Sequence, residues 1–317
     1  MEKKPLAWSK LGAHLTDPDK AREYMEFLRW GQSGPACPRC GGADPYRLTP
    51  KTTSNKPGRK GLLKCRACRK QFTVTVGTVF EDSHIPLHKW LQAIYLMGAS
   101  KKGISAHQLH RMLGVTYRSA WFMAHRLRYA MGVQPMADKL RGIVEVDEAY
   151  IGGKRKDGRG RVPADGGRKV SVLALVERNG RARCYPVENV DTKTLHAAMI
   201  QHIDPLNTAA IMTDGASRYG GDKVGRIPRH SVNHQAGEFV RGQAHTNSVE
   251  GFFSLLKRGI VGTFHHVSKG HLGRYATEFE FRYNNRKVGD AGRPKLIVEG
   301  AEGRRLTYKQ PASTSTH

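Results

Sequence analysis

The chain is 317 residues long and carries 53 Lys and Arg against 27 Asp and Glu, a formal net charge of +26. That length is more than one small domain and enough for a sizeable core, and so large a basic excess points to a polyanionic partner, most often nucleic acid. An anionic membrane is the rival, but no apolar run approaches the roughly 18 residues of a spanning helix, and the opening "MEKKPLAWSKLG" lacks the apolar core of a signal peptide.

Thr16 to Trp30, "TDPDKAREYMEFLRW", reads as the first helix, with Asp17 as N-cap and Pro18 at the first helical position. "GQSGPACPRCGG" then breaks it and opens a cysteine knuckle. Cys37 and Cys40 form one C-x-x-C pair, and Cys65 and Cys68 form a second, with 24 residues between the two pairs. Paired knuckles of this kind hold one structural Zn²⁺ through four thiolates; two unrelated redox pairs are the alternative. Cys184 stands alone and reads as an ordinary buried strand cysteine. "YRLTP", "GLLKC" and "QFTVTVGTVF" have the β-branched and aromatic content of strands, so a zinc ribbon is expected over residues 34–80. Lys51, Lys56, Arg59, Lys60, Lys64, Arg66, Arg69 and Lys70 make it strongly basic.

"PLHKWLQAIYLMGAS", "SAHQLHRMLGV" and "YRSAWFMAHRLRYAM" follow as three helices. A short turn at Gly114 and Val115 before a longer basic helix is the pattern of a helix-turn-helix, with a plain helical bundle as the alternative. Trp121, Phe122 and Leu127 are expected to pack, and Arg118, His125, Arg126 and Arg128 to supply charge. Arg118 and Arg126 are the DNA-contact candidates. From about Leu140 the texture becomes α/β: "GIVEVDEAYIGG", "VSVLALVE" and "RARCYPVEN" read as strands, "DTKTLHAAMIQHI" as a helix and "AAIMTDGAS" as a further strand. Between the first two strands, "KRKDGRGRVPADGGRK" is a basic, Gly-rich loop expected to be mobile without DNA. The expected domains are an N-terminal helical segment (1–33), the ribbon (34–80), the helix-turn-helix region (81–136), the α/β domain (137–286) and a C-terminal extension with a disordered tail (287–317).

Two of these strands end in acids. Asp147 closes "IVEVD" and Asp214 follows "AAIMT". An ionised acid abutting so apolar a strand needs a partner to offset its desolvation. If the strands lie side by side, their carboxylates emerge at one sheet edge, where a divalent cation relieves their repulsion. Oxygen ligands suit Mg²⁺ or Mn²⁺. In "HTNSVEGFFSLLKRG", Asn247 could cap a helix with Glu250 at its third position, a weak capping box. Val249, Phe252, Phe253 and Leu256 form its apolar stripe, and Glu250, Ser254 and Lys257 share the flank beside it. A cap accounts for the acid; it does not account for the lysine two turns later.

Sixty-six residues separate Asp147 from Asp214, 35 separate Asp214 from Glu250, and six separate Glu250 from Lys257. This arrangement resembles the DDE transposase and retroviral-integrase core, an RNase H-like α/β fold. With the knuckles, and with "VEVDEAYIGG", "TDGASRYGG", "HTNSVEGFFSLLKRG" and "EFEFRYNNR", the chain over roughly residues 20–290 resembles the zinc-ribbon DDE transposases of bacterial insertion sequences, the group related to eukaryotic Merlin elements. The resemblance implies a multidomain protein with ribbon and helix-turn-helix ahead of the catalytic domain. Asp147, Asp214 and Glu250 would hold two Mg²⁺ (or Mn²⁺), with Lys257 facing DNA. It implies double-stranded DNA partners, namely the transposon's terminal inverted repeats and target DNA, at least a dimer on that DNA, and a cytoplasmic, nucleoid-associated location. Glu145 shares a strand face with Asp147 while Glu148 points away; the family pattern places the catalytic acid at Asp147. Asn247 is a minor alternative to Glu250. His230, His234 and His245 precede the helix, either as hydrogen-bonding or DNA-contacting groups or as a second metal site. Two rival functions stand beside the transposase: a DNA-binding regulator with an inactive RNase H-like domain, and an RNase H-like nuclease or resolvase.

Overall fold

The computed structural model describes residues 5–6, 8–50, 58, 60–132, 139–152, 169–233 and 236–307. The basic loop at 153–168, the last residues from 308, and Lys51, Lys56, Arg59 and His234 lie outside them. The chain forms two compact units: one runs to Gly132 and resumes at Lys287, and the other spans the residues between.

In the first unit, a short helix α1 (Gly12–Thr16) leads into α2 (Pro18–Trp30). The Asp17 carboxylate accepts the N–H groups of Asp19 and Lys20 at 2.8 and 3.2 Å, two donors the first turn cannot satisfy itself. The apolar stripe of α2, Ala21, Tyr24, Met25 and Leu28, is buried. The ribbon follows as a three-stranded antiparallel sheet of β1 (Pro45–Arg47), β2 (Leu63–Cys65) and β3 (Gln71–Phe72), in that order. The expected strand beyond Phe72 does not form. Thr73 to Val79 runs through successive turns because Arg29 of α2 draws the carbonyls of Val74 and Val76 onto its guanidinium, at 2.7 and 2.9 Å.

Three helices follow: α3 (Leu87–Ala99), α4 (Ala106–Leu113) and α5 (Tyr117–Ala130). The hydroxyls of Tyr24 and Tyr95 meet at 2.8 Å and tie α2 to α3. Ser105 and Thr116 cap α4 and α5, accepting the N–H groups of Gln108 and Ser119. Gly114 ends α4 in the left-handed region, φ 60°, which lets the chain turn sharply into α5. Three residues, Gly114 to Thr116, thus join α4 to α5, the short turn the sequence pattern expects.

The second unit is a six-stranded sheet in the order β6-β5-β4-β7-β9-β8. Its strands are β4 (Leu140–Ile151), β5 (Val170–Glu177), β6 (Ala182–Val187), β7 (Ile203–Asp214), β8 (Lys223–Val224) and β9 (Ile227–Val232). The pairs β4/β5 and β5/β6 are antiparallel; β7 runs parallel to β4, and β9 parallel to β7. Three meandering strands followed by two parallel ones on the other side of the first is the RNase H-like order. Helix α6 (Thr192–His202) crosses from β6 to β7. It packs Leu195 and Met199 on one face of the sheet, against Val144, Val146, Leu173, Leu175 and Ile211. Helices α7 (Asn247–Gly259) and α8 (Lys269–Asn284) cover the other face, where Val249, Phe252, Phe253, Leu256, Leu272 and Phe279 meet Ala149, Ile151, Val172 and Ala174. Each such fully buried large side chain is worth about 1.5–3 kcal/mol. A five-residue π-helical turn, Ile260–Phe264, extends α7.

The chain then returns to its first unit. Helix α9 (Gly292–Glu299) packs on α2, α3 and α5, with Ile297, Val298, Ala301 and Leu306 buried. Gly300 is pressed so closely on the Ala130 carbonyl that a Cβ there would stand 2.2 Å from the oxygen. Arg29 pairs with Glu302 at 3.0 Å. Residues 287–307 are therefore part of the N-terminal unit's core. No helix among the described residues is long and apolar enough to cross a membrane.

Candidate active site and metal centre

In the parallel pairing of β4 with β7, Glu145 stands opposite Met212. Two residues further along both strands come Asp147 and Asp214, so the sheet delivers the two acids to the same end of neighbouring strands. Side chains of a strand alternate between faces: Val144 and Val146 point toward α6, while Ala149 and Ile151 join the α7 and α8 face. Asp147 belongs to the second set. Burial, then the charge of Glu148, with Asp214 and Glu250 adding to it, pushes the Asp147 carboxyl up to about 7. The N–H of Glu148, donated to it at 2.8 Å, only partly opposes this.

Glu250 lies on the first turn of α7, and its Oε1 accepts the Thr246 hydroxyl at 2.7 Å. The cap expected at Asn247 is replaced by a different arrangement. Thr246 holds the N-cap position, and its side chain makes no cap hydrogen bond to the helix. The first-turn N–H groups of Ser248 and Val249 instead donate to Glu145 Oε2 of β4, at 2.6 and 3.0 Å. A cleft of about 330 Å³ is lined by Asp147, Glu148, Ala149, Glu250, Phe253, Ser254, Lys257 and Arg258. Toward α6, Glu148 accepts the Tyr219 phenol at 2.5 Å and an Nη of Arg218, which also lies 3.5 Å from Asp214.

In the ribbon, all five cysteines of the protein being free thiols, Cys37, Cys40, Cys65 and Cys68 place their sulfurs within 4.8 Å of one another. The Cys37–Cys68 and Cys40–Cys65 separations are 3.7 and 3.5 Å. Four sulfurs at the roughly 2.3 Å of a Zn–S bond stand about 3.8 Å apart around a tetrahedral ion, so the tetrad fits zinc. The two knuckles are built alike. The Cys37 and Cys65 carbonyls accept the N–H groups of Gly41 and Arg69, and their own N–H groups donate to the Gly42 and Lys70 carbonyls. Gly41 and Arg69 are both left-handed, at φ 74° and 60°. Among the described residues no other group of three or more such side chains is gathered as closely; the three carboxylates are set more widely.

Residues 139–284 match the model of the ISXO2-like transposase domain, and residues 16–71 match that of the transposase zinc-ribbon domain. Over these two stretches the chain is similar to the zinc-ribbon DDE transposases of insertion sequences. An uncharacterized protein in transposable element ISH50 of Halobacterium salinarum is 27% identical to it over 280 residues, covering 83% of this chain and 90% of that one. A cryo-EM structure of the simian T-cell lymphotropic virus intasome in complex with the PP2A regulatory subunit B56 gamma matches 55% of this chain and 67% of its own, at 13% identity and a TM-score of 0.30. The RNase H-like fold rests on the strand order and not on that likeness.

Of the expected DNA contacts, Lys257 is exposed beside the cleft and Arg118 is exposed on the first turn of α5. Arg126 is not at the surface. It is 8% exposed, donates to the carbonyls of Leu306 and Glu81, and stacks on Phe122, so its guanidinium is spent inside the first unit. His125 and Arg128 are buried too. The basic half of α5 faces inward, a placement composition alone does not reveal. Asn247 is exposed at the start of α7 and His230 on β9, neither lining the cleft, while His245 Nδ1 stands 3.3 Å from Glu145. The sequence alone does not point to Arg178 and Tyr219, polar residues whose partners are distant in the chain, or to Thr246, whose partner Glu250 lies one helical turn away. It marks Glu145 only as a neighbour of Asp147.

Proposed function

We propose that this transposase cuts and joins DNA at the terminal inverted repeats of its own element, using Asp147, Asp214 and Glu250 as ligands for two Mg²⁺ or Mn²⁺ ions. The observation that carries the reading is the convergence of Asp147, Glu250 and Lys257 on one cleft, with Asp214 beside Asp147 at the same end of the sheet. A buried carboxyl held up to about 7 by desolvation, and then by the charge of Glu148, with Asp214 and Glu250 adding to it, is relieved by a hard divalent cation. Bound there, such ions supply Lewis-acid activation of the attacking oxygen and neutralise charge on the leaving one.

The protein's own groups set the stage for that chemistry. Thr246 orients the Glu250 carboxylate. Lys257 offers a cation to the phosphate beside the scissile bond. Arg218 balances Glu148 and Asp214 on the far side. DNA recognition falls to the first unit, supported by exposed Arg39, Arg66, Arg69 and Lys70 around the knuckles and Arg118 on α5, and two ends processed together require at least a dimer on DNA. The test is a strand-transfer assay with the purified protein, Mg²⁺ and duplexes carrying the repeats that flank its gene. Joined products support the reading. Binding without cleavage would make the protein a regulator, and cleavage of branched DNA without joining would make it a resolvase.

A further inference from the structure

We propose that Glu145 is a positioning residue of the transposase, a buried strut that sets the separation between Asp147 and Glu250. This inference rests on the reading of those acids as the metal-holding site. Glu145 is 0% exposed, and both its oxygens are occupied. Oε2 takes the N–H groups of Ser248 and Val249; Oε1 takes Arg178 Nε at 2.7 Å and the Ser248 hydroxyl at 3.1 Å. Arg178 in turn donates to the His245 carbonyl at 3.0 Å, just ahead of the helix. A carboxylate so thoroughly coordinated by protein donors has no lone pair to spare for an ion.

Its place in the chain gives the strut its leverage. Glu145 precedes Asp147 by two residues on the same face of β4, and Ser248 and Val249 precede Glu250 by two and one on α7. The two acids are thus linked through one rigid strand, one pair of hydrogen bonds and one helical turn, with no loop between. Burying a carboxylate is costly unless it is paired. Here the guanidinium, two otherwise orphaned helix N–H groups and the positive end of the helix offset that cost. An ordinary Ser or Asp at position 246 or 247 would cap the helix without tying it to the strand that carries Asp147. The long-range cap does both.

The experiment uses the full chain as Glu145→Ala, Glu145→Gln and, for reference, Asp147→Asn. Two quantities are read: Mn²⁺ binding without DNA, from the free-ion electron paramagnetic resonance signal, and cleavage of a repeat-bearing duplex at saturating Mn²⁺. For folded Glu145→Ala, verified by circular dichroism and zinc content, the half-saturating Mn²⁺ concentration should rise about tenfold and the cleavage rate fall about 100-fold. Glu145→Gln, which keeps the shape and one acceptor, should be intermediate, and it decides the matter if the alanine variant does not fold. A merely structural role would lower the folded fraction and leave half-saturation unmoved. Wild-type values of both readouts in the Glu145 variants, with Asp147→Asn inactive and unable to bind the ion, would overturn the strut alone. Wild-type behaviour of Asp147→Asn would overturn the active-site reading beneath it.

Discussion

The Lys257 ammonium lies 6.0 Å from the centre of the Phe253 ring, on the flank of α7 that also carries Glu250. The ring face attracts the ammonium and holds the flexible side chain beside the cleft. Lys257→Ala is expected to lower strand joining at least tenfold, with unchanged zinc content and melting temperature. The slope of log affinity for the transposon end against log salt should fall by about one. Arg258 borders the same cleft, although its Nε turns back to the Ser254 carbonyl, so it is no neutral comparison. Lys193, exposed on α6 across the sheet, is the proper control.

Asp147→Asn, Asp214→Asn and Glu250→Gln should each abolish cleavage and joining while repeat binding in a gel-shift assay stays near wild type. Asp147 also sets a pH dependence. Its carboxyl titrates near 7 in the folded, magnesium-free protein, against 3.8 ordinarily. Between those values the folded state holds a proton that the unfolded chain has released, so this group's contribution to stability falls as pH rises from about 4 to 7. The melting-temperature difference between Asp147→Asn and wild type, measured without magnesium but with zinc retained, should grow over that range. Mn²⁺ affinity should weaken as pH drops below 7, because the ion then competes with the proton.

One zinc per chain should be found in protein purified without chelator. Cys37→Ser or Cys65→Ser should release it and unfold the ribbon, since ion binding in such a site is folding free energy, on the order of 10 kcal/mol. Metal analysis together with limited proteolysis around residues 34–80 reads both effects.

Asn284 of α8 makes two hydrogen bonds to the backbone of Ala182, accepting its N–H at 2.7 Å and donating to its carbonyl at 3.0 Å. One helical turn earlier, Glu280 takes the Cys184 N–H at 2.9 Å and pairs with Arg183 at 2.8 Å. Strand β6 is the outer edge of the sheet, and these two side chains occupy backbone groups that another strand would otherwise pair with. Asn284→Ala should cost about 1–3 kcal/mol, read as a lower urea midpoint with unchanged slope, and should raise self-association in sedimentation velocity.

Much of this molecule was legible because the informative signals are local. Asp17 followed by Pro18 starts α2 as expected, the knuckle spacing gathers four sulfurs, and the apolar runs ending in Asp147 and Asp214 become neighbouring strands. What escaped depends on partners far along the chain. The β-branched run after Phe72 turns because Arg29, over 40 residues earlier, claims its carbonyls. The cap of α7 comes from Glu145, about a hundred residues before it. Arg126 and Arg128 look like a DNA-binding face until the segment that buries them is known. No periodicity in α9 announces that it belongs with helices nearly two hundred residues away.

That return of α9 has a consequence during synthesis. The first unit's core lacks Ile297, Val298, Ala301 and Leu306 until the whole segment of the second unit has been translated. The N-terminal part must wait for those four side chains while the second unit is made. A product cut short anywhere in that segment is left with an open core, prone to proteolysis.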